Sequence, residues 1–136
     1  MKKNLIVIVI VIAVFVMASC TEKKTYEGLN GEWSVVAIDE MVIPDSIGAF
    51  IGFDTSKQII YGSTGCNHFT GTMPIEIKPK TLIFGTVGST RKMCCDMTIE
   101  DAMLGTMALI VDFSREGNLL RLLDDKGVTL ISLEKR

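Results

Sequence analysis

The residues that could do chemistry are concentrated in two short segments of the chain. The first segment, Gly62–Gly71 (GSTGCNHFTG), holds Cys66 and the single histidine of the sequence, His68. The second segment carries the adjacent cysteines Cys94 and Cys95. Three cysteines and one histidine are an accepted ligand set for zinc, and a Cys-x-His spacing on a strand places both side chains on one face. The same thiols could carry redox chemistry.

Other features weigh against a reactive centre. Cys94 and Cys95 point to opposite faces of an extended chain, and the sequence has no Cys-x-x-Cys spacing of the kind that redox enzymes use. His68 has no serine or acid partner in a nucleophile arrangement. We therefore predict no catalytic residue, no metal site and no cofactor. A metal-binding or thiol-redox protein that uses Cys66, His68, Cys94 and Cys95 is the alternative.

A structural role for the first segment is the competing interpretation. Gly65 and Gly71 can adopt backbone dihedrals that other residues resist. Asn67 can close a turn by bonding to its own backbone. We therefore predict that Gly62–Gly71 is a corner of a β scaffold.

The amino end has the build of a secretory leader. Lys2 and Lys3 precede an uncharged apolar run, Leu5–Ala18, of 14 residues. A membrane-spanning helix needs about 20 residues, so the run fits a signal peptide better than a span. Met17–Cys20 resembles a bacterial lipobox, which implies that Cys20 becomes the acylated new amino terminus. We assign residues 1–19 to a lipoprotein signal peptide.

Cleavage before Cys20 changes the bulk properties of the chain. The sequence has 136 residues with 16 acidic and 14 basic side chains, and loss of Lys2 and Lys3 leaves a net charge near −4. Nucleic-acid-binding domains are usually basic along one face, so we predict no nucleic-acid partner. Residues 20–28 form the acylated cysteine and a polar tether, and residues 29–136 are enough for one domain.

The elements that must position these segments are mainly strands. β-branched and aromatic residues separated by Gly, Pro and polar turns predict strands within five segments. These are 32–39, 49–63 (a hairpin about residues 55–57), 67–77, 80–90 and 118–135 (a hairpin about residues 124–127). We expect seven or eight short strands in an antiparallel, barrel-like or sandwich-like domain of the mainly β (α+β) class.

A single helix is predicted between the strands, and it is expected to pack against them. Ile99, Met103, Met107 and Ile110 recur at helical spacing, and Thr98 with Asp101 three positions later indicates the N-cap. The methionines in and before this helix are also expected in the core: Met93, Met97, Met103 and Met107. Trp33 is predicted to be buried, with its indole N–H bonded to a carbonyl.

Five segments together resemble the META domain of HslJ-type heat-shock lipoproteins, across almost all of residues 29–136. They are LNGEWSVVAID from Leu29, GCNHFTG from Gly65, STRKMCCDM from Ser89, IEDAML from Ile99 and LLRLLDDKGVTL from Leu119. The motif positions are Gly65, Asn67, Phe69, Gly71, Thr90 and Arg91. The resemblance implies a small antiparallel barrel-like fold with one packed helix. It also implies a bacterial envelope lipoprotein linked to stress, with no established catalytic activity.

The resemblance also implies a disulfide between Cys66 and Cys94. Many family members have proline after the second cysteine, where this chain has Cys95. Cys95 could therefore replace Cys94 as the partner of Cys66. The implied protein is a non-enzymatic lipoprotein that is held at the outer membrane through Cys20 and binds an unknown protein or small molecule.

Overall fold

The computed structural model describes residues 26–74 and 82–136. The predicted leader, Cys20 and most of the tether therefore lie outside the described residues, as does the part of the predicted strand that follows Pro74. Among the residues that the structure describes, no helix is both long enough and apolar enough to cross a membrane.

Nine strands and one α-helix make up the described part of the chain, together with two short 3-10 helices. The 3-10 helices are Tyr26–Leu29, before the first strand, and Asp45–Ile47. The helix α1 spans Thr98–Met107. The strands are β1 (Gly31–Ile38), β2 (Met41–Val42), β3 (Phe50–Asp54), β4 (Ile59–Ser63), β5 (His68–Thr72), β6 (Val87–Ser89), β7 (Asp112–Glu116), β8 (Leu119–Leu123) and β9 (Thr129–Lys135).

All nine strands belong to one antiparallel sheet. Its order is β6-β5-β4-β3-β1-β9-β8-β7, and the short β2 pairs with β1. The sheet is open, because β6 and β7 are not paired with each other in the described part of the chain. The two ends still come close: the backbone N–H of Leu82, upstream of β6, donates to the carbonyl of Val111 beside β7 at 2.7 Å. The sheet therefore curves toward a barrel.

The inner face of the curved sheet is filled with apolar side chains. Trp33, Ile51, Ile60 and Leu133 come from four different strands and are fully buried. Buried residues alternate with more exposed ones along β4, β5 and β8, as the period of two requires. The helix α1 packs against β1 and β9 and adds buried methionines to the same core. These side chains together form one continuous apolar core.

The predicted fold class is confirmed, and so are the hairpins β3–β4 and β8–β9. The strand count is higher than predicted, because two strands were not expected. These are β7 and the two-residue β2. The β7 sequence DFSRE places one buried apolar residue, Phe113, among polar ones. Its strand conformation comes from pairing with β8 over five residue pairs rather than from its own composition.

The predicted burial of Trp33 is confirmed, whereas two details around the helix are wrong. The indole N–H of Trp33 donates to the carbonyl of Leu29 at 2.7 Å. Thr98 is the first helical residue and not the N-cap, and the Asp96 carboxylate accepts from its backbone N–H at 2.9 Å. Met93 is 90% exposed, because it lies in the irregular segment before the helix, whereas Met103 and Met107 are buried as predicted.

Candidate functional site

The β4–β5 connection forms a tight corner at the end of both strands. The backbone N–H of Thr64 donates to the carbonyl of Asn67 at 2.9 Å, and the N–H of Asn67 donates to the Thr64 hydroxyl at 3.0 Å. Gly65 has a φ of +94°, which an L side chain would strain, and a Cβ there would also collide with Ile47. The predicted corner is present, but the Thr64 hydroxyl closes it, not the Asn67 side chain.

Gly71 has a different role from the one predicted. It lies inside β5 and is not among the described glycines with a positive φ. A Cβ on Gly71 would come within 3.0 Å of the Val87 side chain on β6. Gly71 therefore allows close approach of two strands. Phe69, two positions earlier, is 3% exposed and belongs to the core.

The side chain of Asn67 reaches across the fold instead of back to its own turn. It is fully buried, and its Oδ1 accepts from the Thr90 hydroxyl at 2.7 Å and from the backbone N–H of Lys92 at 2.8 Å. Its Nδ2 donates to the Lys92 carbonyl at 3.0 Å and to the Glu100 carboxylate at 2.9 Å. An asparagine amide has two donor hydrogens and two acceptor sites, so its bonding capacity is complete. Asn67 thereby fixes the segment that leads to the adjacent cysteines Cys94 and Cys95.

Glu100 completes the network from the first turn of α1. The residue is only 7% exposed, and its Oε2 also accepts from the Thr64 hydroxyl at 2.7 Å. A carboxylate in this turn is favoured by the partial positive charge of the helix N-terminus. The burial of Glu100 was not predicted from the sequence. The available signal was the spacing of Glu100, Met103 and Met107, which places all three on one helical face.

A disulfide joins the corner to the segment before the helix. Cys66 and Cys94 are bonded with their Cα atoms 6.2 Å apart, across 28 residues of sequence. Cys95 is a free and exposed thiol. The structure thus pairs the first of the two adjacent cysteines. The side chains of His68 and Arg91 both lie on the surface.

The arrangement leaves little open chemistry at this corner. Of the four residues proposed as metal or redox groups, Cys66 and Cys94 are bonded to each other in the disulfide. Only His68 and Cys95 therefore remain as candidate ligands. Within residues 26–74 and 82–136, no group of three or more His, Cys, Asp or Glu side chains is placed to hold a metal ion. Every buried side-chain nitrogen or oxygen in the same residues has a hydrogen-bond partner. The corner is therefore built as a saturated structural network.

A shallow groove lies between β1, the Asp45–Ile47 turn and the last residues of the chain. Its volume is about 180 Å³. Residues from β1, the Asp45–Ile47 turn and the carboxyl end line it, among them Ser34, Asp45, Glu134 and Arg136. Sites for drug-sized ligands are usually larger, at about 300–1,000 Å³. The groove could hold only a very small ligand.

The fold and the corner define a class of protein: a small antiparallel β domain, stapled by a disulfide, whose buried polar groups at the corner are bonded to one another. A sequence model of the META domain family matches residues 26–136, and the chain belongs to this family. The predicted resemblance is thereby confirmed. The family match supports a domain of the envelope type.

Solved structures share the fold at low sequence identity. An NMR structure of a protein from Burkholderia xenovorans is 21% identical, with a TM-score of 0.63, and the match covers 88% of this chain and 93% of that chain. A crystal structure of a DUF4847 family protein from Bacteroides vulgatus is 14% identical, with a TM-score of 0.58, over 79% of this chain and 94% of that chain. A search of curated proteins finds no significant match. These likenesses show the fold alone.

Proposed function

We propose that the chain is a lipid-anchored protein of the bacterial envelope whose META domain is a non-catalytic binding or scaffold module. The anchor is the acylated Cys20, and the outer membrane is the proposed location. A role in envelope stress is part of the proposal. The partner is a protein or small molecule at the membrane surface.

One observation carries the non-catalytic part of this proposal: the buried polar groups of the corner and two of its three cysteines are bonded within the fold. Asn67 and Glu100 share a buried hydrogen bond at 2.9 Å, and Cys66 is oxidised onto Cys94. A general acid or base must reach a substrate proton, and a nucleophile must be free to attack. Neither condition holds for these side chains, so their contribution is to hold the corner and the helix together.

The anchoring part rests on the first 20 residues of the sequence. A short apolar run, small residues and Cys20 are what lipoprotein processing requires. A single acyl chain gives only marginal membrane binding, whereas two or more chains give stable anchoring. An acylated Cys20 would therefore hold the domain at the membrane surface permanently.

An intact-mass measurement and a peptide map test both parts on protein extracted from membranes and alkylated without reduction. We expect an acylated Cys20, a Cys66–Cys94 linkage and a single alkylation at Cys95. A Cys20→Ala variant provides the matched control for the anchor and should leave the membrane fraction. Cys95→Ser provides the control for the thiols and should lose the single alkylation without affecting the membrane fraction.

Two results would contradict the proposal separately. An unmodified Cys20, or wild-type protein that remains in the soluble fraction, would rule out the lipid anchor. Three alkylated thiols would remove the staple and favour the alternative, a metal or thiol-redox protein built on Cys66, His68, Cys94 and Cys95. In that case a bound metal should appear in the native mass spectrum.

A further inference from the structure

Three consecutive backbone carbonyls at the entry to the domain are each held by a side chain from a different strand. The carbonyl of Gly28 accepts from the Arg115 guanidinium of β7 at 2.7 Å. The carbonyl of Leu29 accepts from Trp33 of β1 at 2.7 Å. The carbonyl of Asn30 accepts from the Lys135 ammonium of β9. We call the three side chains Trp33, Arg115 and Lys135 the clasp.

The members of the clasp also contact one another. The Lys135 ammonium lies 4.6 Å from the centre of the Trp33 ring, and the Arg115 guanidinium lies 5.4 Å from it. Cations at these distances are attracted to the face of an indole. Burial, and secondarily the nearby Arg115 charge, lower the pKa of Lys135 below its ordinary value. The clasp therefore encloses a fully buried tryptophan between two positive charges.

Two turns are tied to the same end of the domain. The Asn30 side chain accepts from the backbone N–H and the hydroxyl of Thr55, in the β3–β4 turn, both at 2.8 Å. Arg115 also donates to the carbonyl of Gly117, in the β7–β8 turn, at 3.0 Å. The backbone N–H of Lys135 donates to the carbonyl of Asn118, in the same turn, at 2.9 Å. The chain entry, the clasp and both turns thus form one face, which we call the clasp face.

The disulfide corner lies at the opposite end of the strands. Successive hairpin connections alternate between the two ends of an antiparallel sheet, so the β4–β5 corner is opposite the β3–β4 turn. The strand β4 has five residues. At about 3.3 Å per residue, the two ends are roughly 15 Å or more apart.

The proposed anchor must lie near the clasp face, since few residues separate the two. Residues 21–25 join Cys20 to Tyr26, the first described residue. A chain spans at most about 3.6 Å per residue, so Tyr26 lies within roughly 20 Å of the acylated cysteine. The clasp then fixes the next residues, 28–30, directly to β1, β7 and β9.

We propose that the clasp face docks on the lipid headgroups of the membrane that holds the anchor, with the Cys66–Cys94 corner and Cys95 facing away. This orientation rests on the proposed lipid anchor. Its consequence is that a partner reaches the protein at the disulfide end, while the turns beside Thr55 and Gly117 are covered by lipid.

Fluorescence quenching on the acylated protein in vesicles tests the orientation. The protein is reconstituted in phosphatidylethanolamine and phosphatidylglycerol containing a headgroup-spin-labelled lipid as quencher. A thiol fluorophore is placed on native Cys95, or on Asn118→Cys in the Cys95→Ser background. Asp125→Cys, in the β8–β9 turn at the disulfide end, is a second distant position. We expect quenching at position 118 to be at least about twofold stronger than at 95 and 125, given the separation of the two ends.

The outcomes separate the orientation from the anchor. Equal quenching at all three positions, or stronger quenching at 95, would overturn the orientation while the acyl mass on Cys20 stands. An unacylated Cys20 in the same preparation would overturn the proposed function and the docking together.

The clasp itself is tested with the same labels. Arg115→Ala should reduce the difference in quenching between positions 118 and 95. Lys135→Met should have the same effect, and it replaces Arg115→Ala in the experiment if that variant does not fold. Arg121→Ala, on the neighbouring β8, is the matched control, because Arg121 forms an ion pair with Glu116 at 3.6 Å and is not a member of the clasp. An unchanged difference in folded clasp variants would show that residues 28–30 are held in place without the clasp, and would overturn its part in docking.

Discussion

The two ends of the sheet are held by opposite kinds of chemistry. At the disulfide end, a buried amide donates to a buried carboxylate, the carboxylate also accepts from the Thr64 hydroxyl, and a covalent bridge closes the corner. At the clasp end, two cations and an indole bond to backbone carbonyls, and Arg115 lies on the surface. One end is therefore desolvated and cross-linked, and the other is charged and partly in contact with water.

The difference predicts how each end responds when one member is removed. A buried polar group that loses its partner keeps the full cost of desolvation, whereas an exposed group recovers hydrogen bonds from water. Salt screens exposed charges much more strongly than buried ones. Changes at the disulfide end should thus be large and insensitive to salt, and changes at the clasp end should be smaller and weakened by salt.

The largest expected effect comes from removing the bridge. Cys66→Ser leaves Cys94 and Cys95 without a partner, and the chain-entropy model for a closed loop of this length gives a loss of about 3–4 kcal/mol in the free energy of unfolding. Denaturant titration measures it. The matched control is Cys95→Ser, which should change stability by about 0.5 kcal/mol at most. Equal stability of Cys66→Ser and the parent protein would show that the staple does not stabilise the fold.

The next largest effect is expected at the buried amide. Asn67→Ala leaves the backbone of Lys92 and the carboxylate of Glu100 without their partner, and should cost about 2–3 kcal/mol. The adjacent residue is the control: His68→Ala, on an exposed side chain, should stay within about 0.5 kcal/mol. Denaturant titration at low and high salt should give the same loss for Asn67→Ala. A loss that disappears at high salt would contradict the assignment of this end as desolvated.

Much of the fold could be predicted from local patterns. The segments around Thr55–Lys57 and Asp124–Gly127 show apolar runs on both sides of polar turns, and both became hairpins. The helix followed from the spacing of Ile99, Met103 and Met107. The strand β7 could not be predicted in the same way, because it depends on its partner strand more than on its own residues.

The site was predictable only where a motif marked it. Gly65 and Asn67 were identified from the motif, but the partner of Asn67 on α1 was not, because the contact joins residues 33 positions apart. Two of the three clasp contacts span still larger separations, 87 positions for Arg115 to Gly28 and 105 for Lys135 to Asn30. Contacts at such separations leave no periodic signal in the sequence.

A smaller effect is expected at the clasp. Arg115→Ala removes two charged hydrogen bonds, to the carbonyls of Gly28 and Gly117, and one cation–indole contact. Because Arg115 is exposed and water can replace these bonds, the loss should be about 1 kcal/mol. Thermal unfolding at low and high salt should show a loss that shrinks with salt. Arg121→Ala removes a surface ion pair and should cost less, within about 0.5 kcal/mol. Identical losses for the two arginine variants would mean that the clasp contacts add nothing beyond an ordinary surface charge.

The smallest effects concern two exposed carboxylates, one at each end. Hydrogen bonds from the side chain and backbone N–H of Thr98 lower the pKa of Asp96, at the disulfide end. Those from the Ser56 hydroxyl and the Lys57 backbone lower the pKa of Asp54, in the β3–β4 turn.

A carboxyl group whose pKa is lower in the folded state stabilises the fold above its ordinary pKa of about 3.9, and the contribution is lost as pH falls through the folded-state value. Asp96→Asn keeps an acceptor for Thr98 but cannot titrate, so it should flatten the fall in stability below about pH 4. Asp54→Asn should flatten it independently, since the two carboxylates share no partner. Denaturation between pH 2 and 6, with NMR titration of both carboxyls, measures the change. A double variant with the same acid profile as the parent would show that neither carboxylate contributes, and would leave the ends distinguished by the staple, the buried amide and the clasp alone.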